Sequence, residues 1–318
     1  MSIRVSTWRV AAAFAAVYSI WGGSYLAIRF ALETVPPFFL AGTRFVVAGL
    51  ILYGWARWRG APRPRLAHWG GAAIIGGLLL FGGNGGVTWA EQTVPSGIAA
   101  LLIATVPLWM VLLDWLRPGG RRPGGRVLLG VAIGLAGIVL LIGPGKLAGG
   151  GRVDPLGAIV LLLAALSWGT GSLLSRRVQL PAAPLLATAM EMLAGGGLLL
   201  AAGLLSGEWR VVWLDAWTLR SSLAMLYLVI LASLVAFSAY VWLLRVSTPA
   251  KVSTYAYVNP VIAVLLGWLL AGEPLTLRVL LAAAVITAAV IMITTYRGQA
   301  PVKTERKITS LVAKPSDA

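Results

Sequence analysis

Residues 251–267 read Lys-Val-Ser-Thr-Tyr-Ala-Tyr-Val-Asn-Pro-Val-Ile-Ala-Val-Leu-Leu-Gly. The first half is polar and aromatic, the second half is hydrocarbon, and Pro260 stands at the join. A proline inside a helix has no N–H to give, so the carbonyl of Ala256 loses its helical partner. In a bilayer a free carbonyl must be satisfied by a side chain, water or a bound molecule. Ser253 and Tyr257 lie four apart on one face of such a helix, and Tyr255 and Asn259 on another. At least one of these faces is expected to look into a cavity. The alternative is a packing kink, with Asn259 bonded to a neighbouring helix. A poorer copy runs over 95–113, where Pro107 frees the carbonyl of Ile103. There only Thr105 is polar, and Leu102 and Ala104 stand where Tyr255 and Tyr257 stand. The comparison predicts a lopsided site, with most specificity groups from the second half of the chain.

The rest of the sequence makes these stretches membrane helices. Of 318 residues, 59% are hydrophobic and 11% charged, with a mean hydropathy of +0.87; soluble chains average about 25% charged. Long continuous runs rich in Leu, Ala and Gly exclude a spanning barrel, whose strands alternate over about 10 residues. The pattern predicts an all-α polytopic membrane protein with ten transmembrane helices, over roughly 9–31, 37–56, 68–90, 96–116, 126–143, 155–174, 182–205, 219–243, 250–271 and 276–296. The apolar run from Val10 to Ile28 is too long for a signal-peptide core and reads as the first span. There is no cysteine and only His68 as histidine, so neither a metal site nor a cofactor is expected.

The net charge of +16 is a topology signal. Sorted by side across ten spans, nineteen Lys and Arg residues fall on the side of the N-terminus and five on the other, with Arg29 and Arg44 inside spans. That asymmetry places both termini in the cytoplasm and makes anionic lipid, not nucleic acid, the partner of the excess charge. The polar tail from Arg297 is predicted to be disordered and cytoplasmic.

The chain also repeats itself. A shift of 147 residues sets Trp21-Gly22 on Trp168-Gly169, Pro37 on Pro184 and Arg44 on Glu191; a shift of 153 sets Trp89 on Trp242 and Pro107 on Pro260. Residues 9–143 and 155–296 therefore read as two five-helix units. Because five is odd, the second enters from the opposite face, and the units form an inverted repeat. Such repeats are a hallmark of secondary transporters, with the substrate near the midplane where the units meet.

Trp21-Gly-Gly-Ser-Tyr, Arg44-Phe, Pro95-Ser-Gly-Ile-Ala-Ala, Pro107 and Tyr255-Ala-Tyr-Val-Asn-Pro-Val with Gly272-Glu273 resemble the drug/metabolite transporter superfamily, in particular its EamA-type ten-helix bacterial exporters. The resemblance spans nearly all of residues 10–296. It implies a central cavity lined mainly by helices one, three, four, six, eight and nine, and export of small metabolites, often amino acids or amphipathic toxic compounds, across the bacterial inner membrane. One departure stands out. Gly272-Glu273 follows span nine, but the matching place after span four reads Pro118-Gly119-Gly120-Arg121, without a glutamate.

Candidate substrate-binding residues follow from polar and aromatic stripes at helical spacing. Span one offers Trp21 and Tyr25, with Ser24 beside them. Span three offers Asn84, Thr88 and Glu91 along one stripe, with Trp89 next to it. Spans four and six offer Thr105, and Trp168 with Ser172. Span eight offers Ser233, Phe237 and Tyr240, and span nine Tyr255, Tyr257 and Asn259. Aromatic faces suit an amphipathic substrate and can hold an ammonium group. Pro107 and Pro260 are candidate gating breaks. Arg44 and Glu191 are mid-span charges that each need a partner or a purpose. They read either as an ion pair or separate structural anchors, or with Glu191 as a proton carrier. The runs of glycine lack the Lys-Ser/Thr of a phosphate loop, so no nucleotide drives the process; the substrate gradient or protons would. A facilitator of nucleotide-like or phosphorylated metabolites is the alternative, and it requires clustered cavity cations. An intramembrane enzyme is not expected, since neither a nucleophile with a base nor paired carboxylates cross the spans. The sequence leaves the oligomeric state open.

Overall fold

The computed structural model describes residues 6–116, 122–142, 153–175, 177–211, 217–247, 252 and 254–297. Lys251 and Ser253, the Pro118–Arg121 segment and the tail beyond Arg297 lie outside the described residues. Among the described residues there are helices and no strands. The apolar helices are α1 Thr7–Ala31, α2 Pro37–Trp58, α3 Leu66–Ala90, α4 Ser96–Leu116, α5 Gly125–Ile142, α6 Pro155–Leu174, α7 Pro184–Leu205, α8 Leu219–Leu243, α9 Tyr255–Ala271 and α10 Leu277–Arg297. Eight are long and apolar enough to cross a membrane; Gly125–Leu141 and Tyr255–Ala271 are shorter. Large side chains such as Leu50, Ile51, Val139, Leu269 and Leu270 point outward and are 50–70% exposed. That would be untenable in water and is what a bilayer solvent favours.

Local chemistry explains the helix ends. Pro37, Pro155 and Pro184 open α2, α6 and α7 at the first position, where a missing N–H is harmless. Gly272 closes α9 in the left-handed region, φ 65°, which glycine adopts without steric cost.

The halves interdigitate. The first helix of each half packs on the third and fourth helices of the other: α1 on α8 and α9, and α6 on α3 and α4. Matching helices also pair directly. A Cβ on Gly42 would touch Leu200 and one on Gly49 would touch Leu193, so α2 and α7 run antiparallel. Gly130 against Ile293 and Gly137 against Ile286 give the same sense to α5 and α10. Small residues at these crossings let the helices approach closely.

Two segments depart from α-helical winding, and nothing in the sequence analysis anticipated them. Gly77–Gly85 in α3 and Leu228–Ala236 in α8 are π-helical, nine residues each. One shift of 151 residues carries the first onto the second. π-segments free main-chain groups for outside partners. The carbonyl of Leu78 accepts from Ser167 Oγ at 2.7 Å, and that of Ala232 accepts from Trp21 Nε1 at 3.1 Å.

Five of the described acidic residues, Glu33, Glu91, Asp154, Glu208 and Glu273, gather at the face where α1 ends, hereafter the far face, and four of them have identifiable tasks. Glu208 accepts from the amides of Phe38 and Phe39 at the start of α2. Glu273 accepts from Ser96 N, Ser96 Oγ and Gly97 N at 2.7, 2.7 and 3.0 Å, at the start of α4. Asp154 caps α6 through the amides of Leu156 and Gly157 and accepts from Thr93 Oγ1 at 2.7 Å. The Thr93 bond, with help from those amides, holds the Asp154 carboxyl below its usual range. Glu33 pairs with Arg220 at 3.0 Å. Carboxylates here complement the positive ends of helices that start at this face. Glu273→Ala is expected to cost about 1–2 kcal/mol, read as a lower melting temperature, with Glu273→Gln recovering part of it. An unchanged melting temperature in Glu273→Ala would show that the cap carries no stability.

Candidate substrate cavity

A cavity lies between the two halves. It encloses about 990 Å³ of space between atoms, its mouth included. Its wall brings together Trp21, Ser24 and Tyr25 of α1, Arg44 and Phe45 of α2, Asn84 and Val87 of α3, Pro107 and Met110 of α4, Trp168 of α6, Phe237 of α8, and Tyr255, Asn259 and Pro260 of α9.

One end is an aromatic box. Trp21 stands edge-on to Tyr255 at 5.3 Å, tilted against Tyr240 at 5.1 Å and edge-on to Phe237 at 6.0 Å. The bond from Trp21 Nε1 to the π-segment of α8 sets the indole's orientation. The same wall carries a cation. Arg44 is buried, 5% exposed; its Nε donates to Ser233 Oγ at 2.9 Å and its guanidinium lies 4.5 Å from the Phe45 ring centre. The two terminal nitrogens have no hydrogen-bond partner among the described residues, and the residue lines the cavity.

The two prolines behave differently. α4 is interrupted between Ile103 and Val106, at the carbonyl that Pro107 leaves free. Thr105, fully buried, turns its hydroxyl onto the carbonyl of Leu102 at 2.6 Å. Pro260, by contrast, sits inside an uninterrupted helix. With its amide turned to satisfy its neighbours, Asn259 donates to the carbonyls of Tyr255 and Tyr18 at 3.3 and 3.2 Å. The carboxamide thus compensates the region that proline disturbs. Ala256 and Ile103, whose carbonyls the prolines free, both line the cavity.

Of the residues singled out from the sequence, Trp21, Tyr25, Asn84, Trp168, Tyr255, Asn259, Arg44, Pro107 and Pro260 meet at the cavity. Others stand outside its wall. Thr88 is buried with its hydroxyl on the carbonyl of Asn84, 2.9 Å. Ser172 bonds its own helix at Trp168, 2.8 Å. Trp89 packs against the core. Tyr240 stands in the aromatic box behind Trp21 and Tyr255. Tyr257, on the face of α9 away from Tyr255 and Asn259, is half-buried. Of the two faces of α9 left open by the sequence, that of Tyr255 and Asn259 is the one on the cavity.

Two expectations are corrected. Arg44 and Glu191 do not form an ion pair. The glycine contacts set position 49 against 193, so Glu191 is level with position 51, about 10 Å along the axis from Arg44. An inverted repeat puts matching residues at mirrored depths, so equivalence in sequence separates them in space. The polar wall is also not drawn mainly from the second half. Ser24, Tyr25, Arg44 and Asn84 come from α1, α2 and α3. The comparison of α4 with α9 missed them because it weighed only two helices. Arg44 and Phe45 add α2 to the expected lining helices. Apolar wall residues such as Val87 and Met110 carry no signal in sequence that separates them from lipid-facing ones.

A bundle of apolar membrane-crossing helices around a polar, aromatic cavity is the architecture of a membrane transport protein. The chain belongs to the EamA-like transporter family, whose sequence profile matches residues 7–143 and 155–295. It is 43% identical over 289 residues to the uncharacterized inner membrane transporter YedA of Escherichia coli K12, covering 91% of each chain. It is 28% identical to the uncharacterized transporter sll0355 of Synechocystis, over 94% of this chain and 93% of that one. A solved crystal structure at 24% identity superposes with a TM-score of 0.61, over 92% of this chain and 99% of the other, and shows the same fold.

Proposed function

We propose that this transporter exports small amphipathic metabolites that carry an anionic group, amino acids among them, by alternating access across a bacterial inner membrane. The observation that carries the reading is the cavity itself, where the free end of the Arg44 guanidinium and an aromatic box line one space between two interdigitated halves. We take all ten helices as spanning, in inverted units 9–143 and 155–296. α5 supports this by lying alongside α10, and α9 by pairing with α4. The basic residues then put both termini in the cytoplasm and the far face outside. Arg44 is the cavity's cation among the described residues, since Arg29 is exposed and donates to the carbonyl of Glu91 at 3.0 Å. A site for phosphorylated metabolites would call for several.

The test is flux in proteoliposomes across a panel of amino acids, aromatic carboxylates and sugar phosphates, with and without a pH gradient. Saturable movement of zwitterionic or monoanionic amphipathic compounds is expected. Movement of sugar phosphates alone, or of nothing above empty vesicles, overturns the reading.

A further inference from the structure

Among the described residues the far face holds one acid without a task. Glu33, Asp154, Glu208 and Glu273 each cap a helix or hold an arginine. Glu91, at the end of α3, is fully buried, and neither carboxyl oxygen has a hydrogen-bond partner among the described residues. Arg29 reaches it only through the backbone, donating to the Glu91 carbonyl at 3.0 Å. The groups that face the carboxyl are Tyr25 and Arg29 from α1, Arg44 from α2 and Glu273 from the turn after α9. α6, packed alongside, has no titratable residue between Pro155 and Leu174.

A carboxylate stripped of water and of donors is strongly disfavoured; the neutral acid is not. Burial accordingly pushes the Glu91 carboxyl well above the usual carboxylate range. Glu273 adds to this, while Arg29 and Arg44 oppose it. Glu91 also sits one helical turn beyond Val87, which lines the cavity together with Tyr25 and Arg44. Side chains on a helix lean toward its N-terminus, which here aims the carboxyl back toward that end of the cavity.

We infer that Glu91 is a proton-binding site at the far end of the cavity. It is protonated while that end is closed and releases its proton to water when the cavity opens to the far face. On release the carboxylate feels Arg29 and Arg44; of the two only Arg44 lines the cavity with free guanidinium nitrogens, so an anionic substrate and the Glu91 carboxylate would compete for it. The opening step rests on the alternating-access reading; the proton site itself does not.

Two measurements on the full chain in lipid separate these. The first is the protonated-carboxyl C=O stretch in infrared spectra at about pH 7. Part of this band is expected to vanish in Glu91→Gln and to persist in Glu191→Gln. An equal band in wild type and Glu91→Gln overturns the proton site. Melting curves of the near-isosteric Gln variant check that it is folded. The second uses the absence of cysteine from the chain. Ser24→Cys places a thiol on the cavity wall, and an impermeant maleimide is added from the far face. The ratio of its labelling rate to that in a Glu91→Gln background, which shares the thiol's own titration, is expected to rise by up to about tenfold per pH unit while Glu91 remains mostly protonated. A ratio independent of pH, with the infrared band assigned to Glu91, overturns the coupling to opening and leaves the proton site standing.

Discussion

Gly76→Ala is expected to destabilise the protein by about 1–3 kcal/mol, while Gly70→Ala, on the same helix, is expected to be neutral or mildly stabilising, by up to about 1 kcal/mol. A Cβ on Gly76 would stand 2.4 Å from the carbonyl oxygen of Glu191 and 2.9 Å from the amide nitrogen of Gly195. Both are backbone atoms, so no rotamer relieves the clash and α3 must part from α7. One on Gly70 would meet nothing within 4 Å. The approach is reciprocal, since a Cβ on Gly195 would lie 2.6 Å from the Gly76 carbonyl oxygen. The double variant should therefore cost less than the two single costs together, because the first methyl already separates the helices. Thermal unfolding followed by tryptophan fluorescence checks this. Equal melting temperatures for Gly76→Ala and Gly70→Ala would mean that the close crossing of α3 and α7 does not exist.

The largest effect on transport is expected at Arg44. Arg44→Met keeps an unbranched apolar stem but removes the cavity's cation and the donor to Ser233. A hydrogen bond to a charged group is worth about 1.5–3 kcal/mol, so the half-saturating concentration of an anionic or zwitterionic substrate should rise by roughly 10–100-fold. Arg44→Lys should fall between the two, because one ammonium cannot hold Ser233 and present a planar fork at once. Neutral aromatic compounds should be affected far less. Flux measured for matched charged and uncharged compounds decides the matter. Equal loss for both would make Arg44 a structural anchor of α2 on α8 and not a contact to substrate.

Much of this protein is legible without coordinates. Apolar runs of spanning length, the scarcity of charge and the spread of Lys and Arg establish a polytopic membrane protein. The Trp-Gly and Pro anchors identify two related units and point to the family. The helical spacing of Tyr255 with Asn259 narrows the wall of α9 to one of two faces. The resemblance of the halves was itself misleading in one respect. It offered Arg44 and Glu191 as an ion pair among other readings, whereas the antiparallel pairing of α2 and α7 holds them at different depths. The π-segments of α3 and α8 were invisible because their windings depend on contacts with α6 and α1 from the other half. Glu91 stood at the end of a polar stripe in span three, and only the tertiary structure shows that it is removed from water.

Composition and hydropathy are sums over local sequence, and they determined the class of protein and the run of helices, while the recurring Trp-Gly and Pro anchors determined the presence of two related units. Whether a given polar side chain meets lipid, a neighbour's carbonyl or the cavity depends on how each helix is rotated about its axis. That rotation is set by partners far away in the chain, as Gly76 and Gly195 or Trp21 and Ala232 show. The tertiary structure therefore decided that Arg44 keeps a free end in the cavity, that Tyr257 stands off its wall, and that Glu91 is buried without a hydrogen-bond partner among the described residues.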